Sequence, residues 1–111
     1  MTKVFYVRER WDNLEEYDSN MYDEESIGVY RNINDAKEEI NRLMQELIKK
    51  AEGNCIISKT YNDNDTYISE QCVSVYSIRF EGNNAGNIFG FRCTNQIEYE
   101  WYIEELPYVE S

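Results

Sequence analysis

The side chains in this sequence with chemistry to offer are its carboxylates. There are 22 Asp and Glu against 11 Lys and Arg, and no His. Without His the chain lacks the usual general base near neutral pH and the commonest metal ligand. No Ser–His or Cys–His nucleophile can be assembled, and neither a G-x-G-x-x-G turn nor a Walker loop is present. Paired carboxylates can cleave a glycosidic bond, but a chain of 111 residues leaves little room for the cleft, and acids this dense form pairs by chance. A calcium loop of the EF-hand kind needs Gly at its sixth position and Glu at its twelfth. Counted from Asp63 those positions hold Ile68 and Ser74; counted from Asp12 they hold Tyr17 and Asp23. Cys55, Cys72 and Cys93 are too far apart for a zinc or redox pair and read as small core residues. The residues therefore point to no catalytic, cofactor-binding or metal-ligating set, and an enzyme is the last of the readings they allow.

What the carboxylates can do is recognise positive charge. The formal net charge is -11, and the acids cluster. Asp12, Glu15, Glu16, Asp18, Asp23, Glu24 and Glu25 follow one another with no Lys or Arg between Arg10 and Arg31. No basic residue follows Arg92, whereas Glu98, Glu100, Glu104, Glu105 and Glu110 do. Such a surface repels nucleic acid and anionic membrane and attracts basic partners. On an extended strand Glu98, Glu100 and Glu104 project to one side at roughly 6.8 Å per two residues. A nucleic-acid strand also presents regularly repeated negative charge. Tyrosines lie among the acids, and aromatic faces receive Arg and Lys. The candidate partner-binding residues are accordingly Asp12, Glu15, Glu16, Asp18, Tyr22, Asp23 and Glu24 in one segment, and Glu98, Glu100, Tyr102 and Glu104 in the other.

The elements that must position these groups can be read from periodicity. Lys3 to Arg10 is rich in Val, Phe and Tyr and reads as a strand, with 11 to 25 as an acidic, aromatic connection and Ser26 to Arg31 as its hairpin partner. Ala36, Ile40, Leu43, Met44, Leu47, Ile48 and Ala51 recur at three- and four-residue steps and predict an amphipathic helix. Asn34 or Asp35 is the expected N-cap, and Gly53 the C-terminal stop. Strands are expected over Cys55 to Tyr61, Cys72 to Phe80, Asn87 to Arg92 and Gln96 to Glu105, with turns over 62 to 65 and 81 to 86. Tyr67 to Ser69 continues a strand or opens an irregular piece. In the last strand Ile97, Tyr99, Trp101 and Ile103 alternate with Glu98, Glu100, Tyr102 and Glu104, which sends the first set to the core and the second outward. The expected fold is a single α+β domain over 1–111: an antiparallel sheet of five to six strands in β-β-α-β-β-β order, with one amphipathic helix packed on one face. There is no apolar run of membrane-spanning length, Met1 to Arg8 does not read as a secretory leader, and the odd cysteine count leads us to expect a cytoplasmic location.

The stretch Lys3-Val4-Phe5-Tyr6-Val7, then Ile27-Gly28-Val29-Tyr30, then Asp35-Ala36-Lys37 opening a helix, resembles small bacterial and phage proteins in which two strands lead into a helix and a later strand closes the sheet. In composition the chain is also similar to phage-encoded anti-defence proteins, the anti-CRISPR and anti-restriction DNA mimics. That resemblance implies a non-catalytic inhibitor acting in the host cytoplasm on the basic nucleic-acid-binding groove of a defence nuclease, with no direct binding of nucleic acid. An immunity protein neutralising a basic toxin nuclease would use the same physics. A structural module, oligomerising through a sheet edge as a homodimer or larger assembly, is the alternative of another class.

Overall fold

The computed structural model describes residues 2–13, 23–63, 70–82, 85–90 and 95–108. The elements are β1 (Thr2–Asn13), β2 (Asp23–Tyr30), α1 (Ile33–Ala51), β3 (Ile56–Asp63), β4 (Cys72–Glu81), a short 3-10 helix (Ala85–Phe89) and β5 (Gln96–Tyr108). The fold is α+β: one helix over a five-stranded sheet with strand order β2-β1-β5-β4-β3, every neighbouring pair antiparallel. The centre of the sheet is the long β1–β5 pair, which runs in unbroken register from Thr2↔Tyr108 to Asn13↔Ile97. α1 leaves edge strand β2 and delivers the chain to the opposite edge, β3, so it crosses one face, and among the described residues the other face carries no helix. No helix among the described residues is long and apolar enough to cross a membrane.

The helix begins earlier than its sequence suggested. Asn32, rather than Asn34 or Asp35, is the N-cap, and its Oδ1 accepts from the Asn34 N–H at 2.7 Å. The reason is Ile33, which packs against the core and so belongs inside the first turn. Lys49 and Lys50 occupy the last turn, where cations suit the helix dipole. Gly53 follows the cap in the left-handed region at φ 83°, which only a residue without Cβ adopts at no cost. Ala36, Ile40, Met44 and Ala51 are buried against Val7, Ile78, Phe80, Ile97, Trp101 and Ile103, while Leu43, Leu47 and Ile48 flank them half-buried. Fully burying one such aliphatic side chain contributes about 1.5–3 kcal/mol.

Several strand boundaries differ from the reading above. β1 runs on through Trp11 to Asn13 and β2 starts at Asp23, so the acidic connection is shorter than 11 to 25. β3 continues through Asn62 and Asp63, where the sequence predicts a turn. Over residues 87–90, the described part of the expected sixth strand from Asn87 to Arg92, no strand forms. Ala85–Phe89 is a 3-10 helix instead, and it interrupts the expected succession of strands after α1. It is held there by Phe89, whose ring lies 4.7 Å from that of Phe80 and 5.5 Å from that of Tyr99. On β4 a register shift between Cys72 and Ser74 explains why no single apolar face could be read. Val73 packs with Tyr76, Ile78 and Phe80 on the helix side, while Val75 joins Cys72 and Tyr102 in a small cluster on the other face. Tyr67 to Ser69, the 64–65 part of the expected turn, and Cys93 lie outside the described residues.

Candidate functional site

The alternation of β5 separates its carboxylates from the core as expected. Ile97, Trp101 and Ile103 are fully buried under α1, with Tyr99 packed against them. Glu98, Glu100, Tyr102 and Glu104 share the helix-free face, but they do not stand there alone. Val7 is buried on the helix side, so its neighbours Arg8 and Arg10 emerge on the open face, and Arg79 of β4 comes up beside β5. Arg79 Nη2 donates to Glu98 at 3.0 Å, Arg10 pairs with Glu100, and Arg8 lies 3.7 Å from Glu104. The three glutamate side chains keep only 19%, 16% and 13% of their exposure. Tyr102 is buried beneath the guanidinium groups of Arg8 and Arg10, at 5.7 and 5.8 Å from its ring centre. The face is a quilt of alternating sign rather than a row of free negative charge. Beside it Ser58, Thr60, Ser77, Arg79, Glu81 and Glu98 line a shallow trough of about 290 Å³.

The helix-side root of the β1–β2 hairpin is different. Here Glu9 stands directly across from Glu25, and Trp11 lies across from Tyr99 of β5. Trp101 Nε1–H donates to Glu9 Oε1 at 3.1 Å. The Trp11 and Tyr99 ring centres are 6.4 Å apart, and Tyr99 stacks on Trp101 at 6.2 Å and 15°. Glu9, Trp11, Glu25, Phe89 and Tyr99 border a hollow of about 270 Å³. Burial pushes the Glu9 carboxyl above its ordinary range, and the charge of Glu25 adds to that, against the lowering effect of the Trp101 hydrogen bond. Burial, with the Glu9 charge behind it, likewise pushes the Tyr99 phenol up to about 12. Among the described residues neither Glu9 nor Glu25 has a Lys or Arg within ion-pairing distance.

Of the sequence candidates, Asp12, Asp23 and Glu24 sit by their backbone in the paired ends of β1 and β2, where Arg10 is opposite Glu24 and Trp11 opposite Asp23. Glu15, Glu16, Asp18 and Tyr22 lie outside the described residues. Of the first acidic segment the strand register thus places Asp23 and Glu24 beside β1 and Asp12 opposite Glu98 of β5, while β5 brings the second segment together on its own face. Sequence reasoning missed Glu9, Phe89 and the three arginines. Arg8 and Arg10 were legible in principle, since they alternate with Val7; Glu9 gave no sign, because its partners Trp101 and Tyr99 are distant in the chain. Among the described residues no group of three or more His, Cys, Asp or Glu is placed to hold a metal ion.

Comparison with known proteins finds no matching family model, no similar curated protein and no similar solved structure.

Proposed function

We propose that this chain is a non-catalytic acidic binding protein that occupies a basic, nucleic-acid-binding groove of another protein and so inhibits it. The observation that carries this reading is the unequal neutralisation of the two acidic regions. The β5 carboxylates are matched by Arg8, Arg10 and Arg79. At the hairpin root, Glu9 and Glu25 face one another with no described cation beside them; of the other hairpin acids, Asp23 is opposite Trp11, Glu24 opposite Arg10 and Asp12 opposite Glu98. A partner's Lys and Arg side chains would supply the charge the chain does not, and attraction between opposite surfaces would speed encounter. The contact is therefore centred on the hairpin rather than on β5. The test is capture from lysates of cells expressing nucleic-acid-degrading enzymes, at low and at high salt. The expected result is a basic enzyme whose capture weakens with salt and with the combined changes Asp12→Asn, Asp23→Asn, Glu24→Gln and Glu25→Gln, and whose nucleic acid is displaced by this chain. Direct sub-micromolar binding of DNA or RNA by the chain itself would end the reading, since mimic and binder need opposite charge.

A second reading, a module assembling through its sheet edges, is favoured by the position of the large exposed apolar side chains. Val29 is on edge strand β2, and Ile56 and Tyr61 are on edge strand β3, at 61%, 69% and 44% exposure. Unprotected edges invite pairing with another chain. Sedimentation of the purified chain decides between the two: a stable dimer lost on Val29→Lys or Ile56→Lys supports assembly.

A further inference from the structure

The hollow at the hairpin root has walls of two kinds. Trp11, Tyr99 and Phe89 supply aromatic surface, and Glu9 and Glu25 supply carboxylates. Each kind selects for the same ligand charge. The faces of aromatic rings are electron-rich and attract cations. Two carboxylates placed opposite one another repel an anion and lose hydration to no benefit if an uncharged group covers them. Five residues from β1, β2, β5 and the 3-10 helix, far apart in the chain, thus converge on a space whose complement is positive, and none of them is basic.

We propose that this hollow is the pocket for the head of a single guanidinium-bearing side chain presented by a partner protein. The inference rests on the reading that the partner is basic, and it names the anchor. A guanidinium is flat enough to stack on Tyr99 or Trp11 and carries a fork of N–H donors that two carboxylates accept. A quaternary ammonium fits the rings equally well but has no N–H, and would donate nothing to Glu9 or Glu25. The pocket is also braced. Trp101 is fully buried and its indole N–H fixes Oε1 of Glu9, so the carboxylate is oriented before any ligand arrives. A cation seated between Glu9 and Glu25 relieves the repulsion between them.

The experiment uses the intact chain and small probes, so its outcome does not depend on finding the partner. N-methylguanidinium and tetramethylammonium are titrated separately at constant ionic strength, with tryptophan fluorescence as the readout. Saturable binding of methylguanidinium is expected, weakened on the order of tenfold in Glu9→Gln and in Glu25→Gln, and unchanged in Glu46→Gln on the exposed side of α1. Gln at position 9 keeps an oxygen for the Trp101 N–H, and Glu25 is exposed with no described partner, so both variants retain the fold; circular dichroism checks this. Absence of saturation, equal affinity in all variants, or tighter binding of tetramethylammonium than of methylguanidinium overturns the assignment. If a captured basic enzyme is weakened by neutralising the hairpin acids while the probes fail to bind, the proposed function stands and the pocket is not its anchor.

Discussion

Glu100→Lys should unfold this protein far more readily than the chemically identical change two residues earlier. Glu100 and Arg10 are each 16% exposed, and they pair across the central β1–β5 register. Replacing the carboxylate with an ammonium takes from the largely buried Arg10 guanidinium the Glu100 carboxylate it pairs with and sets a like charge there instead, and it adds a third cation to the pair already lying over Tyr102. Breaking a fully buried pair costs about 3–5 kcal/mol, and an exposed pair is worth about 0–1. A pair at this depth falls between, at about 2–3 kcal/mol. For a domain of this size that corresponds to a fall in Tm on the order of 10 °C. Glu98 pairs with Arg79, whose side chain is 46% exposed, so Glu98→Lys should cost less than about 1 kcal/mol after solvent screening. Thermal unfolding followed by circular dichroism, at low and at moderate salt, measures both. The charge swap Arg10→Glu with Glu100→Arg should recover part of the loss, which Glu100→Lys alone cannot. Equal melting temperatures for Glu100→Lys and the parent would refute the reasoning. The β5 carboxylates would then be available to a partner, as their spacing alone suggested.

Three further outcomes follow from the core, the cap and the hairpin root. Ile40→Ala, at a fully buried position, should destabilise by about 2–5 kcal/mol, and Leu43→Ala, half-buried, by clearly less; equal losses in denaturant titration would show that α1 sits on the sheet in another rotation. Asn32→Ala removes the oxygen that accepts from Asn34 N–H and should cost about 1 kcal/mol, read in the same titration. Glu9 holds its proton more tightly in the folded chain than its ordinary value of 4.5 implies. Its contribution to stability is therefore fully present below pH 4.5 and is lost as pH rises through the folded value. Glu9→Gln should flatten that part of the stability–pH curve and leave neutral stability unchanged or higher; an unaltered curve would place the titration elsewhere.

The parts of the fold visible in the sequence are those that repeat. The alternation Ile97, Tyr99, Trp101, Ile103 and the stripe Ala36, Ile40, Met44, Ala51 each obey one period over many residues, and both face the core. The parts that escaped are set by contacts between distant segments. Val73 and Val75 belong to opposite faces only because of the irregularity after Cys72, which a period-two reading cannot contain. Residues 85–89 coil because Phe89 has Phe80 and Tyr99 to meet. The same limit applied to the candidate site. Three glutamates on one side of β5 looked like free negative charge because Arg8 and Arg10 are some ninety residues away in the chain, and only the register of β1 on β5 places them alongside. Glu9 carries no signal in the sequence, because Trp101, whose indole N–H donates to it, is 92 residues away in the chain.

The pairing of β1 with β5 has a consequence for biosynthesis. Ribosomes release a chain from its amino end, so β1, β2 and α1 emerge while β5 is still untranslated. β1 then has only β2 to pair with, and its other edge stays unpaired until the strand that completes the sheet has been made. α1, meanwhile, has part of its apolar stripe with nothing to cover, since Ile78, Phe80, Ile97, Trp101 and Ile103 all belong to later segments. Pairings across such long sequence separations form slowly, and unpaired edges are where nascent chains associate with one another. The nascent hairpin, however, carries a dense block of acids between Arg10 and Arg31. Like charge on every waiting copy keeps the half-made sheets on a polysome apart until β5 arrives.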